Sequence, residues 1–224
     1  MKVSMNNRFF KAISIGSAVM AFTAILLAGC SSGSSVSGSV VLYSTASLDG
    51  DITGTAVSTD EETVDAGDND SDNTSRGFFS FDVSGIAPDS TDEFEVASVI
   101  LKLTMTDWFD ADGDSDPIAD MGNVVVELVE YGTSLDSGDM SVAADYGSVT
   151  LASDFGMIVD FEANVTQMVQ NYIDSGDTDS LDRWQFRIRH IKPTDSDGTS
   201  DITRWAASEY DGTDYDPSLT VSVE

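Results

Sequence analysis

Carboxylates at alternate positions are the first chemistry the sequence offers. The segment Asp110-Ala-Asp-Gly-Asp-Ser-Asp116 sets Asp110, Asp112, Asp114 and Asp116 two residues apart around a glycine. Calcium takes about six to eight oxygens at roughly 2.3–2.6 Å from a flexible loop, and such spacing can wrap an ion. The closing bidentate Glu of an EF-hand is missing. Asp195-Ser-Asp-Gly-Thr-Ser-Asp201 and Asp68-Asn-Asp-Ser-Asp72 are two further partial matches. The competing reading of each run is an acidic, solvated turn, because a chain with 40 Asp+Glu produces such matches by chance.

The second chemistry is cationic and aromatic. Arg183, Arg187 and Arg189 alternate onto one side of a single stretch. A guanidinium fork pairs bidentately with a carboxylate or sulfate. This face is therefore expected to hold a uronate or sulfated polysaccharide, or else to pair with the protein's own carboxylates. Trp108 falls on the same side of its stretch as Lys102, Thr104 and Thr106. An exposed indole there could stack on the apolar face of a sugar ring; coverage by a loop is the alternative. The single histidine, His190, sits in an apolar register and reads as a core residue. Any Ser-His-Asp or Cys-His triad would have to rest on it, and histidine-rich zinc sites are excluded by count. Nothing local marks a catalytic carboxylate pair. The expected protein is therefore not an enzyme.

Residues 1–29 hold no acidic residue. Lys2, Arg8 and Lys11 precede an apolar run from Ala12 to Leu27, which ends in Leu26-Leu27-Ala28-Gly29-Cys30. This pattern reads as a secretory leader, and the run is short for a spanning helix. Its ending resembles the bacterial lipobox. The resemblance implies that Cys30, the only cysteine, is lipidated and becomes the mature N-terminus, and that Ser31 lets the protein reach the outer membrane and the cell surface. One cysteine also excludes a disulfide framework. Residues 30–39 read as a Ser/Gly tether. Removing the leader takes three of the ten basic residues and no acidic one, so the mature chain stands at −33. Phosphates are repelled at that charge, which argues against nucleic acid and leaves the lipid as the only membrane contact.

Period-two alternation dominates residues 40–224. Val40 and Leu42 share a face, as do Phe79, Phe81 and Val83; Val99, Leu101, Leu103 and Met105; Trp184, Phe186, Ile188 and His190; and Leu219, Val221 and Val223. Val-Val-Val-Glu-Leu-Val-Glu-Tyr at 124–131 is a further strand, and 51–57 a weak one. Residues 58–76 read as a long acidic loop. Val165, Met168, Val169, Tyr172 and Ile173 form one helical stripe, with Asn164 and Gln167 as a capping box and Gly176 as a stop. Many strands and one short helix predict an all-β fold, an antiparallel jelly-roll β-sandwich.

The order of these pieces carries a resemblance. Asp65-Ala-Gly-Asp68 is followed by Arg76-Gly-Phe-Phe-Ser-Phe-Asp-Val-Ser-Gly-Ile86 and Ala97-Ser-Val-Ile-Leu-Lys-Leu103. Then come Phe161-Glu-Ala-Asn-Val-Thr-Gln-Met-Val-Gln-Asn-Tyr172, Phe186-Arg-Ile-Arg189, Ala207-Ser-Glu209 and Asp216-Pro-Ser-Leu-Thr-Val221. This resembles the DNRLRE, or disaggregatase-related, carbohydrate-binding modules. Asn164 stands where that family usually has Asp, and the Asp-rich stretches are longer. The resemblance implies a jelly roll that binds polysaccharide at a cell surface. The expectation is thus a lipid-anchored polysaccharide-binding module with structural calcium. The alternative is a surface, adhesin or filament subunit that self-assembles through calcium-dependent sandwich contacts.

Overall fold

The computed structural model describes residues 38–59, 61–86, 96–110, 117–154, 159–176, 182–210 and 214–223. The leader, Cys30 and most of the tether lie outside these residues, as do Asp112, Asp114 and Asp116. Among the described residues, no helix is long and apolar enough to cross a membrane.

The strands are β1 (Gly38–Tyr43), β2 (Gly50–Thr53), β3 (Ala56–Ser58), β4 (Thr63–Asp68), β5 (Thr74–Asp82) and β6 (Val96–Asp110). After helix α1 (Pro117–Met121) come β7 (Val124–Leu128), β8 (Ser148–Ala152) and β9 (Val159–Asn164). Helix α2 (Thr166–Ser175) precedes β10 (Arg183–His190), β11 (Asp201–Ala206) and β12 (Ser218–Val223). All pairings are antiparallel, so the all-β expectation holds. The strands are not divided into two separate sheets. Hydrogen bonds join them in the order β1-β12-β6-β11-β4-β5-β10-β7-β8, with β2, β3 and β9 branching off, and the sheet is curled. The length of β6 accounts for the joining. It pairs with β12 along Val96–Lys102, with β9 along Ile100–Met105 and with β11 along Met105–Asp110.

The concave face holds the core. Phe79 and Phe81 of β5, Leu101, Leu103 and Met105 of β6, Trp184, Phe186 and Ile188 of β10, and Leu219 and Val221 of β12 are buried there. Each apolar side chain removed from water contributes roughly 1.5–3 kcal/mol. Helix α2 covers this core with Met168, Val169, Tyr172 and Ile173, the stripe read from the sequence. Its stop is Gly176, at φ +69°. The expected capping box is replaced: Asn164 Oδ1 accepts from the Thr166 amide at 3.1 Å, while Gln167 Nε2 donates to Asn171. A second cluster lies on the opposite face of β5, where Phe78 packs with Leu48, Ile52, Val129, Tyr131 and Leu135.

Three expectations need correction. Among the described residues there are two α-helices, because the five residues of α1 are too few to show a periodicity. The supposed loop 58–76 contains β4, whose Val64 and Ala66 are buried. Its acidic residues hid that alternation. The tether is shorter than expected, since Gly38 and Ser39 already pair with Val223 and Ser222.

Candidate functional site

The outer face of β10 disposes of the arginines. Arg183, Gln185, Arg187 and Arg189 do alternate onto one side, but residues 129–144 lie over it. Gln185 fastens this cover. Its Oε1 accepts from the Tyr131 and Gly132 amides at 2.8 and 3.1 Å, and its Nε2 donates to the Gly132 carbonyl at 2.8 Å. Arg187 is only 4% exposed. Its Nε and Nη2 donate to Glu127 Oε2 at 2.9 and 2.6 Å, and its Nη1 donates to the Val142 carbonyl at 2.8 Å. Arg189 donates in the same forked manner to Glu127 Oε1, at 3.0 and 2.6 Å. One carboxylate thus receives two guanidinium forks. Burial pushes the Glu127 carboxyl up, but the two forks outweigh it and hold it below its usual range. Arg187 and Arg189 are committed to the protein's own carboxylate, the competing reading of this face. Arg183 is half-buried beside Thr45 and Ser80.

Trp108 is exposed, but on the other face from the one expected. A β-bulge shifts the register, so that Trp205 lies opposite Met105 while Arg204 lies opposite Asp107. The extra residue, Thr106, re-aims everything after it, as bulges do. Trp108 then sits opposite Thr203, on the side of Trp205 and the core, near the C-terminal end of β6. It is 38% exposed. Phe109, on the opposite side, lies under the Arg204 guanidinium at 5.0 Å.

The Asp-rich runs gather at this same end. Asp201 of β11 is the cross-strand partner of both Asp110 of β6 and Asp68 of β4. Gly67 makes the approach of β4 possible: it has φ +145°, and a Cβ there would meet the Asp201 carbonyl at 1.9 Å. Helix α1 brings Asp120, the β4–β5 turn brings Asp72, and the β10–β11 loop brings Asp195 and Asp197. Among the described residues, three groups place their carboxylate oxygens within 4.8 Å of one another: Asp68, Asp72 and Asp195; Asp110, Asp120 and Asp201; and Asp195, Asp197 and Asp201. Two runs that look incomplete in sequence, with Asp110 from the third, therefore converge in space. Each of these groups has the donors to hold a metal ion.

The electrostatics of this end are unfavourable for the protein alone. At about 4.8 Å, two carboxylates repel by on the order of 3 kcal/mol at an effective dielectric of about 20. Burial, followed by the charges of Asp195, Asp110, Asp68 and Asp197, pushes the Asp201 carboxyl up to about 7. Burial also pushes Asp68 up; the Thr194 hydroxyl and Asp195 amide pull the other way, but neither reaches hydrogen-bonding geometry.

His190 is a structural neighbour of this end. Its Nδ1 donates to the Gly122 carbonyl at 2.8 Å, just beyond α1, and its Nε2 lies 3.3 Å from Thr203 Oγ1. No local pattern around this histidine signals that it ties the end of α1 to β10. No family model matches the chain, and no curated protein matches it.

Proposed function

We propose that this chain is a lipid-anchored, surface-displayed module that binds polysaccharide without catalysis, its curled sheet being a jelly roll. The observation that carries this reading is the partly exposed Trp108 indole near the C-terminal end of β6, two residues before Asp110 of the acidic cluster. An aromatic plate flanked by oxygen-rich side chains suits a sugar, which offers an apolar ring face and hydroxyls at its rim. The leader, Cys30 and the ordered DNRLRE-like motifs support the anchor and the ligand class. The burial of Arg187 removes the basis for a binding site on the arginine face. A uronate would reach the Trp108 end only with a cation between it and the aspartates.

The test is retardation of the wild-type chain and Trp108→Ala in native gels containing neutral or uronate polysaccharide, each with and without calcium. Retardation of the wild type, lost in Trp108→Ala at unchanged melting temperature, is expected. Equal retardation of both would remove Trp108 from the site. One observation favours the structural alternative: Val41 and Tyr43 stand exposed on the outward side of β1, at an end of the strand order. Calcium-dependent growth of light scattering, without retardation by any glycan, would select that reading.

A further inference from the structure

We propose that the buried Asp68 and Asp201 anchor two adjoining calcium-class divalent-cation sites, Asp68 with Asp72 and Asp195, and Asp201 with Asp110 and Asp120. The inference goes beyond polysaccharide binding and does not depend on it.

Two independent observations converge. The first is geometric: four separate segments deliver carboxylates that meet within 4.8 Å in groups of three. The second is the state of the two anchors. Asp68 is 0% exposed and Asp201 2% exposed. Both Asp68 side-chain oxygens and Asp201 Oδ1 are buried with no hydrogen-bond partner. Neither residue forms an ion pair with a described Lys or Arg. The one lysine at this end, Lys192, directs its Nζ to the Asp120 main-chain carbonyl. Buried polar groups are nearly always satisfied, and buried charges are paired or bind metal. One such unsatisfied carboxylate lies in each of the first two groups, which is where an ion would supply the missing partner.

The donor set names the ion class. Every ligand is a carboxylate oxygen, with no nitrogen or sulfur, so hard cations are favoured over zinc or copper. The ligands come from three strand ends, a short helix and two loops, not from a preformed octahedron. Calcium, which accepts many oxygens in irregular geometry, fits this better than magnesium. Binding would lock α1, the β4–β5 turn and the β10–β11 loop to the end of β6, beside Trp108.

The experiment uses the full chain in mild detergent, stripped with chelator. Calcium chloride is titrated calorimetrically. Melting is followed in calcium, magnesium and sodium chlorides at matched ionic strength. Saturable calcium binding is expected, with a melting-temperature rise that magnesium and sodium do not match. Asp68→Asn and Asp201→Asn should each weaken binding by about tenfold or more and lose that rise. In chelator, both should melt at or above wild type, because an unsatisfied buried charge has gone; this separates lost binding from lost folding. The partly exposed Asp72→Asn and Asp195→Asn should weaken binding without unfolding. Asp174→Asn, on exposed α2, should titrate as wild type. Equal shifts with magnesium, absence of saturable binding, or wild-type titration by all four site variants would overturn the proposal.

Discussion

Asp49 shows how one residue can set a pH dependence. Its carboxylate is buried, accepting from the Ser44 hydroxyl at 2.5 Å and the Ser80 amide at 3.3 Å. Burial pushes it from 3.8 to about 7, and hydrogen bonds from Ser44, Ser80 and Ser208 only partly offset that. Below 3.8 the carboxyl is protonated whether the chain is folded or not. Between 3.8 and about 7 the unfolded chain releases a proton that the folded chain keeps, so stability falls as pH rises, by up to about 1.4 kcal/mol per unit. Above about 7 the loss is complete. Asp49→Asn abolishes this titration. Its stability relative to wild type, from urea unfolding, should therefore climb between pH 4 and pH 7 and then level off. A difference that does not vary with pH would show that Asp49 is ionised inside the protein throughout. At this same scale, the sequence showed the identity of the chemical groups but not their orientation. Trp108 was legible as either an exposed or a loop-covered aromatic on the polar face of its strand, yet its face depended on a bulge at Thr106 that no local signal announces.

Among the elements, β10 and its cover make the clearest energetic contrast. Glu127 of β7 lies between Arg187 and Arg189, and Arg76 Nε is buried nearby without a partner. Burial and the charges of Arg187 and Arg189 lower the Arg76 pKa, and the Glu127 carboxylate that serves those two arginines only partly offsets this. Removing that carboxylate leaves buried positive charges unpaired, which costs about 3–5 kcal/mol. The exposed pair Lys102–Asp160, at 2.8 Å, contributes only about 0–1 kcal/mol. Chemical denaturation of Glu127→Ala and Lys102→Ala should show this asymmetry. Similar small losses in both would mean that water reaches the Glu127 cluster. The alternation of β5, β6, β10 and β12 was readable because large apolar residues recur every second position. In β4, small apolar residues alternate with aspartates, and Asp65 is tolerated only because Arg204 of β11 neutralises it at 2.8 Å. That information lies more than a hundred residues away, so the strand was not legible locally. The same holds for the acidic end: each Asp run was visible, while their meeting required the β4–β11–β6 register.

Taken as a whole, the molecule carries a formal charge of −30, and among the described residues the opposing cations are few and several already pair with carboxylates. Two features follow from one cause. Repulsion among surface carboxylates opposes compaction, and the repulsion is concentrated where the Asp68–Asp201 end brings the runs together. The two contributions differ in range and in what relieves them. Dispersed surface repulsion acts over distances comparable to the Debye length, which falls from about 10 Å at 0.1 M salt to about 3 Å at 1 M. Any monovalent salt relieves it. The clustered repulsion acts below 5 Å around the buried Asp68 and Asp201 carboxylates, where screening by monovalent salt is weaker. Melting temperature in chelator should therefore rise steadily with sodium or potassium chloride, identically for the two salts, and by the same increment in wild type and Asp201→Asn. The offset between the two proteins should persist at 1 M salt. If high salt closes that offset, the carboxylates at this end are solvent-screened like the rest of the surface. If salt leaves the melting temperature of both proteins unchanged, net charge is not what limits stability.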